Sequence, residues 1–167
     1  TNKTLTAPVI TSPVLSGTGT SETKFCTTEF DVDSGTTGST LANIVGLTGF
    51  TLTAAGVYKF DISLAGVCTT NGGLKVAFKY TTATITSLES TTIVSAAASM
   101  ALAHTTTATD QASLVASKAA AWLHARITGN IVVNAGGTLA VQAAQETAHA
   151  DNTTIYVGSW ATLPRVS

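Results

Sequence analysis

Residues 57–64 read VYKFDISL, and the alternation of apolar and polar side chains in this stretch decides the fold class. From Tyr58 onward every second residue is apolar, whereas Lys59, Asp61 and Ser63 between them are polar. Successive side chains of a β-strand point to opposite faces, so this period of two predicts a strand with one buried face. The lysine, the aspartate and the serine are expected on the other face.

The same alternation appears on both sides of two glycine-containing turns. Residues 71–73 read Asn-Gly-Gly, and alternate apolar residues resume at Val76. Residues 131–133 and 139–143 likewise flank a turn at 134–137. Each turn of this composition predicts that the strands on its two sides pair as a β-hairpin.

The last predicted strand runs from Ile155 to about Leu163. Its alternation places Ile155, Val157, Ala161 and Leu163 on one face, and Tyr156, Gly158 and Trp160 on the other. Both faces therefore carry apolar residues, and a strand of this kind needs cover on both sides. We expect it to pack on the core with one face and on a neighbouring subunit with the other.

Residues 110–126 are compatible with two secondary structures. Their alanines, leucines and lysine favour a helix that Asp110 would cap. Strands, or a loop leading into a strand, are favoured instead, because apolar residues alternate with polar or aromatic ones towards its end. The alternating positions are Leu123, Ala125 and Ile127 against Trp122, His124 and Arg126.

An extended arm is predicted before the head domain. Residues 4–17 read TLTAPVITSPVLSG, in which two prolines remove backbone donors and push the preceding residues out of the helical region. We assign residues 1–21 to the arm and residues 22–167 to the head. The arm is expected to bind another surface through its apolar and proline residues, which are Leu5, Pro8, Val9, Ile10, Pro13, Val14 and Leu15.

The composition excludes several classes of function. Charged residues make up 10% of the chain and the net charge is −1, so no basic face for nucleic acid is expected. A hydrophobic content of 44% disfavours disorder. No stretch reaches the roughly 20 apolar residues of a membrane-spanning helix, so no membrane partner is expected. A largely uncharged surface favours association, which indicates a component of an assembly.

No pattern in the sequence predicts catalysis or a metal site. The histidines lack the spacing of zinc ligands, and no loop has the density of carboxylates that calcium recruits. A nucleophile elbow and a phosphate loop are also missing, so we expect neither enzyme activity nor a cofactor. Cys26 and Cys68 are expected to be free, half-buried thiols, with a single disulfide as the alternative.

Many short strands separated by turns are typical of an antiparallel sandwich or jelly roll. Three stretches, AAGVYKF at 54–60, GGTLAV at 136–141 and IYVGSW at 155–160, resemble the jelly roll of tumour-necrosis-factor-like and complement globular-head domains. Residues 141–145 and 158–163 also resemble versions of this domain in tailed-phage decoration proteins and fibre heads, which often carry a Thr/Pro-rich N-terminus. The resemblance implies an all-β antiparallel jelly roll that assembles as a homotrimer.

The resemblance also implies where the subunits of the trimer meet. Tyr156 and Trp160 fall on the strand face that would point to the threefold axis, and Trp122 lies near a position where relatives often place an aromatic residue. Lys59 and Asp61 occupy positions that relatives fill with apolar interface residues. They are therefore expected to pair across subunits or to line a threefold axis that contains water. The alternative is that Trp122 and Trp160 fill the core between the two sheets of a single chain.

The function expected from these features is structural. A trimeric head with an extended arm, a neutral surface and no catalytic pattern is typical of a decoration, or cement, protein on the outer capsid surface of a tailed-bacteriophage virion. Its arm would bind the major capsid protein or another virion protein. The alternative is the receptor- or carbohydrate-binding head of a phage fibre, which exposed aromatic residues beside carboxylates would favour.

Overall fold

The computed structural model describes residues 21–32, 40–68, 72–96, 99–106, 110, 113–117 and 121–167. This part of the chain contains no helix and forms thirteen β-strands. In chain order they are β1 (Ser21–Phe25), β2 (Phe30–Val32), β3 (Ala42–Asn43), β4 (Phe50–Leu52), β5 (Val57–Cys68), β6 (Leu74–Thr81), β7 (Thr84–Ala96), β8 (Ser99–Thr105), β9 (Ser113–Ser117), β10 (Ala121–Ala135), β11 (Gly137–Ala144), β12 (Thr153–Ile155) and β13 (Trp160–Pro164).

The strands form two antiparallel sheets. The larger sheet has the order β1-β13-β5-β10-β7-β8, and the short strands β12 and β2 join it beside the end of β5. The smaller sheet has the order β3-β11-β6-β9, and β4 also pairs with β11. Together the sheets form a sandwich-like arrangement, which confirms the predicted all-β antiparallel class.

The core lies between the two sheets and is centred on β5. Tyr58, Phe60, Ile62 and Leu64 on its inner face are at most 3% exposed, as the alternation predicts. Phe60 meets Phe78 of β6 edge to face, with 5.1 Å between the ring centroids. Because these two rings belong to different sheets, their contact joins the layers at the middle of the sandwich.

Both predicted hairpins are wrong, although their strands exist. β5 pairs with β10, β12 and β13, whereas β6 pairs with β9 and β11 in the other sheet. β10 and β11 also follow each other in the chain and lie in different sheets. Alternation determines which side of a strand is buried, and two consecutive strands satisfy it equally well by facing each other across the core.

The predicted last strand, residues 155–163, is divided by a turn into β12 and β13. Gly158 has a φ of +87°, a conformation that favours glycine and that a continuous strand does not contain. Val157, which the alternation places on the buried face, is therefore 57% exposed. Ala161 and Leu163 are buried in β13, as predicted.

Strands occupy the described part of the alanine-rich segment 110–126. β9 lies within it and β10 begins at Ala121, so the favoured prediction is confirmed and the helix alternative is wrong for these residues. The alternation at the start of β10 matches the prediction. The inner residues Leu123, Ala125 and Ile127 are at most 3% exposed, and Trp122, His124 and Arg126 are exposed on the other face.

A close approach of three strands requires a glycine at position 129. Gly129 lies on β10 between Phe60 of β5 and Ser90 of β7. A Cβ atom here would lie 2.0 Å from the carbonyl oxygen of Glu89 and 2.5 Å from the Phe60 ring. Both distances are far below van der Waals contact, so any side chain would push the strands apart.

Cys26 and Cys68 are not joined by a disulfide, as predicted, but they are fully buried and not half-buried, since each is only 1% exposed. The Cys26 thiol donates a hydrogen bond to the carbonyl oxygen of Thr28 over 3.0 Å. Burial raises the pKa of Cys26, so the thiol remains protonated near neutral pH. Both cysteines therefore serve as small core residues.

We expect Gly129→Ala to lower the free energy of unfolding by about 2–3 kcal/mol, because the added methyl group overpacks the contact between β5, β10 and β7. Thr128→Ala, one residue earlier on the opposite face of β10, is the control and should change it by at most about 0.5 kcal/mol. Urea unfolding followed by circular dichroism measures both variants. Losses of similar size would contradict the packing role of Gly129.

The raised pKa of the Tyr80 phenol predicts that the folded protein loses stability at alkaline pH. Burial, with a smaller contribution from the Asp110 carboxylate, raises the pKa of the Tyr80 phenol well above its ordinary value. The folded state therefore holds the phenolic proton more tightly than the unfolded state does. The resulting stability is complete below the unfolded pKa of about 10 and is lost as the pH rises towards the folded pKa.

Tyr80→Phe should remove this pH dependence. Between pH 10 and 11 we expect the free energy of unfolding of the unmodified protein to fall by about 1 kcal/mol more than that of the variant. Urea unfolding at pH 8, 10 and 11 measures the difference. Parallel pH profiles would show that Tyr80 does not hold its proton more tightly in the folded state.

Candidate functional site

The candidate binding surface is the outer face of the larger sheet, which we call the outer face. Its side chains alternate with the core residues of β13, β5, β10 and β7. In its central row, Thr162, Asp61, Thr128, Thr91 and His104 are registered with one another on five neighbouring strands. Three hydroxyl groups, a carboxylate and an imidazole therefore cross the middle of this surface.

The next row of the outer face is more apolar. Phe25, Trp160, Ser63, Arg126 and Ile93 are registered across β1, β13, β5, β10 and β7. The phenylalanine is 54% exposed and the isoleucine 43%. Sequence reasoning missed both, since a valine follows the isoleucine and alternation alone does not tell which of the two is outside.

All five residues predicted at a subunit interface lie at the outer face: Lys59, Asp61, Trp122, Tyr156 and Trp160. Neither tryptophan plugs the core, because Trp122 is 72% exposed and Trp160 is half-buried on the outer side of β13. They are also far apart. Trp160 is registered with Ser63 and Trp122 with Val67, about 13 Å further along β5.

Asp61 forms an ion pair within its own chain. Its two carboxylate oxygens accept hydrogen bonds from Arg126, at 3.0 Å from Nε and 2.6 Å from Nη2. This fork-to-fork geometry raises the pKa of Arg126, through the hydrogen bonds first and the opposite charge second. The pair links β5 to β10 on the outer face and leaves Asp61 already partnered.

A groove of about 620 Å³ lies beside this ion pair. At one end of the groove Lys59, Asn130 and Glu89 are registered across β5, β10 and β7. Neither the lysine nor the glutamate forms an ion pair with another described residue. The groove therefore offers one cation and one anion to a partner. Glu89 was not predicted, because residues 84–96 do not alternate between apolar and polar side chains.

A second pocket, of about 350 Å³, lies at the other end of the outer face. Trp122 and Tyr156 meet there edge to face, with 6.4 Å between their ring centroids. His124 also lines this pocket. Trp122 and Tyr156 are thus brought together, a contact that the sequence did not predict, and they lie away from Lys59, Asp61 and Trp160.

The predicted anchor residues of the arm, Leu5, Pro8, Val9, Ile10, Pro13, Val14 and Leu15, lie outside the described residues. The first described residue, Ser21, begins β1 at the edge of the larger sheet and pairs with Pro164 of β13. Pro164 also lines the 620 Å³ groove. The described part of the chain therefore begins at a sheet edge beside this groove.

Among the described residues, no group of three His, Cys, Asp or Glu side chains is placed to hold a metal ion. The acidic residues have local roles instead. Asp31 accepts a hydrogen bond from the Thr154 hydroxyl group at 2.6 Å, and Asp151 lies 3.2 Å from the His149 Nδ1. The same part of the chain contains no helix long and apolar enough to cross a membrane.

Comparison of the chain with protein-family models, with curated proteins and with solved structures finds no match. Its function is therefore inferred from its own residues and their geometry.

Proposed function

We propose that this protein is a trimeric capsid decoration protein of a tailed bacteriophage, with a jelly-roll head and an N-terminal arm. It stands on the outer capsid surface, and its arm binds the major capsid protein or another virion protein. The observation that carries the proposal is the outer face, which exposes Phe25, Ile93 and Trp122 on a sheet whose edge strand β1 is where the described chain begins. The role is structural, without catalysis or a cofactor.

The order of the strands supports the jelly roll. Along the chain, β1, β5, β10 and β13 belong to the larger sheet, and β3 with β4, β6, β9 and β11 to the smaller one. The chain thus alternates between the sheets, and its first and last strands pair with each other. This alternation is typical of a jelly roll and not of a meander. The β7–β8 hairpin extends the larger sheet.

The outer face supports the homotrimer. Three large hydrophobic residues that are more than 40% exposed lie on it: Phe25, Ile93 and Trp122. Exposed large apolar side chains on one sheet face are typical of an interaction surface. Lys59 and Glu89, which form no ion pair with another described residue, supply opposite charges that pair between copies of the chain. Trp160 and the Asp61 pair lie between these features, so the interface includes them, with Trp122 and Tyr156 at its margin.

The arm supports binding to a repeated surface such as a capsid. Ordering about a dozen residues costs conformational entropy that is comparable with the gain from burying five apolar side chains. One arm therefore binds weakly. When three arms belong to one trimer, the first attachment gives the other two a high effective concentration, so the trimer binds far more tightly than a single chain.

We expect the unmodified protein to sediment as a homotrimer at micromolar concentration. Thr128→Arg places a long cation at the centre of the outer face and should give folded monomers, because a buried unpaired charge prevents close packing. Thr138→Arg is the matched control, on an exposed position of β11 in the other sheet. Sedimentation equilibrium measures all three proteins. A monomeric unmodified protein, or equal effects of the two substitutions, would refute the proposed interface.

Deletion of residues 1–16 should leave a folded trimer that no longer binds its capsid. Val9→Asp combined with Val14→Asp should have the same effect, because it removes two apolar contacts and adds charge. Thr11→Asp combined with Ser16→Asp is the control, which adds the same charge and keeps the apolar residues. Co-sedimentation with undecorated capsids measures binding. Full occupancy by the truncated trimer would place the anchor on the head instead.

A further inference from the structure

The pocket at the Trp122 end of the outer face is concave, aromatic and formed by one chain. Its volume of about 350 Å³ falls within the range of small-molecule sites. Trp122 is 72% exposed, and its ring meets Tyr156 nearly edge on, with an interplanar angle of 69°. An exposed indole beside a second aromatic ring offers a flat apolar platform whose face is electronegative.

Small residues keep the pocket open between the two rings. Ala65 lies on the outer side of β5, and a Cβ atom on Gly66 would lie 2.1 Å from the carbonyl oxygen of Thr154. β5 and β12 therefore pair closely here, and no bulky side chain separates them. The backbone N–H of Tyr156 donates to the Ala65 carbonyl over 2.8 Å, which fixes the tyrosine against β5. The aromatic wall is thus held by the sheet.

The described polar side chains around the platform are neutral hydrogen-bonding groups. His124 Nε2 lies 2.9 Å from the Ser63 hydroxyl oxygen, which leaves the other ring nitrogen for a ligand. Ser95 is registered with His124 and exposes its hydroxyl group. None of the seven described residues that line the pocket is Asp, Glu, Lys or Arg. A neutral ligand with many hydroxyl groups therefore finds hydrogen-bond donors and acceptors among them.

We propose that Trp122 and Tyr156 form a binding site for a neutral saccharide. The weakly positive C–H groups on one face of a pyranose ring complement the negative face of the Trp122 indole. The sugar hydroxyl groups then bond to His124, Ser95 and the Tyr156 phenol. The site is complete within one chain, so it does not rest on trimer formation or on capsid binding.

The position of the pocket suits recognition of a second surface. Ser21 begins at the end of the larger sheet where Arg165 bridges to Tyr58 at the start of β5. Trp122 pairs with Val67, nine residues further along β5, which corresponds to about 30 Å. A head held by its arm therefore presents the saccharide site at its far end.

A single-tryptophan variant tests the proposal directly. The chain contains two tryptophans, so Trp160→Phe leaves Trp122 as the only one. We expect the fluorescence of this variant to change saturably with at least one of four probes, the trisaccharides of glucose, galactose, mannose and N-acetylglucosamine. Calorimetry with that trisaccharide should show about tenfold weaker binding for Trp122→Ala, and affinity within about twofold for Thr138→Ala, the control on an exposed position of β11 in the other sheet.

Three results would overturn the saccharide site: no saturable response to any of the four probes, an unchanged affinity in Trp122→Ala, or dissociation of the oligomer by Trp122→Ala. The last result would assign the indole to a subunit contact. Sedimentation equilibrium of the same variants makes this distinction. If the unmodified protein is monomeric and still binds a trisaccharide through Trp122, the trimer fails and the saccharide site stands.

Discussion

The contact between Phe60 and Phe78 across the sandwich constrains most of the structure. Phe60 lies on the central strand of the larger sheet, and its ring fills the space above Gly129 of β10. The missing side chain at Gly129 and the ring of Phe60 together hold β5, β10 and β7 in one register. A slip of one residue would turn Trp122 and Arg126 into the core and would abolish both the outer face and its ion pair.

Local alternation predicted the strands better than it predicted their partners. Residues 57–64 and 122–127 have a strict period of two, and their inner and outer sides are as predicted. The same period says nothing about pairing, so consecutive strands were expected as hairpins and instead lie in different sheets. The turn at Gly158 was missed for a related reason, because Ile155 and Val157 continue the alternation up to a residue that requires a positive φ.

The candidate site was predictable only where it depends on one strand. Lys59, Asp61, Trp122, Tyr156 and Trp160 were placed on the correct face from local sequence. Their neighbours were not, because the partners of these residues come from distant parts of the chain. Asp61 and Arg126 are 65 residues apart in sequence, and Lys59 and Glu89 lie in one row of the sheet only through the register of β10 between them. Such contacts follow from the strand order, which a single sequence does not encode locally.

The pairing of β1 with β13 determines how the head bears mechanical load. Five residue pairs join the two strands, from Ser21 with Pro164 to Phe25 with Trp160. Tension applied to the chain before Ser21 and directed along β1 is shared by all the hydrogen bonds of this ladder at once. Tension applied perpendicular to β1 breaks the hydrogen bonds of the ladder one after another. β13 passes the load to β5 at the centre of the sheet, so the direction in which the arm leaves the head sets the force that the head withstands.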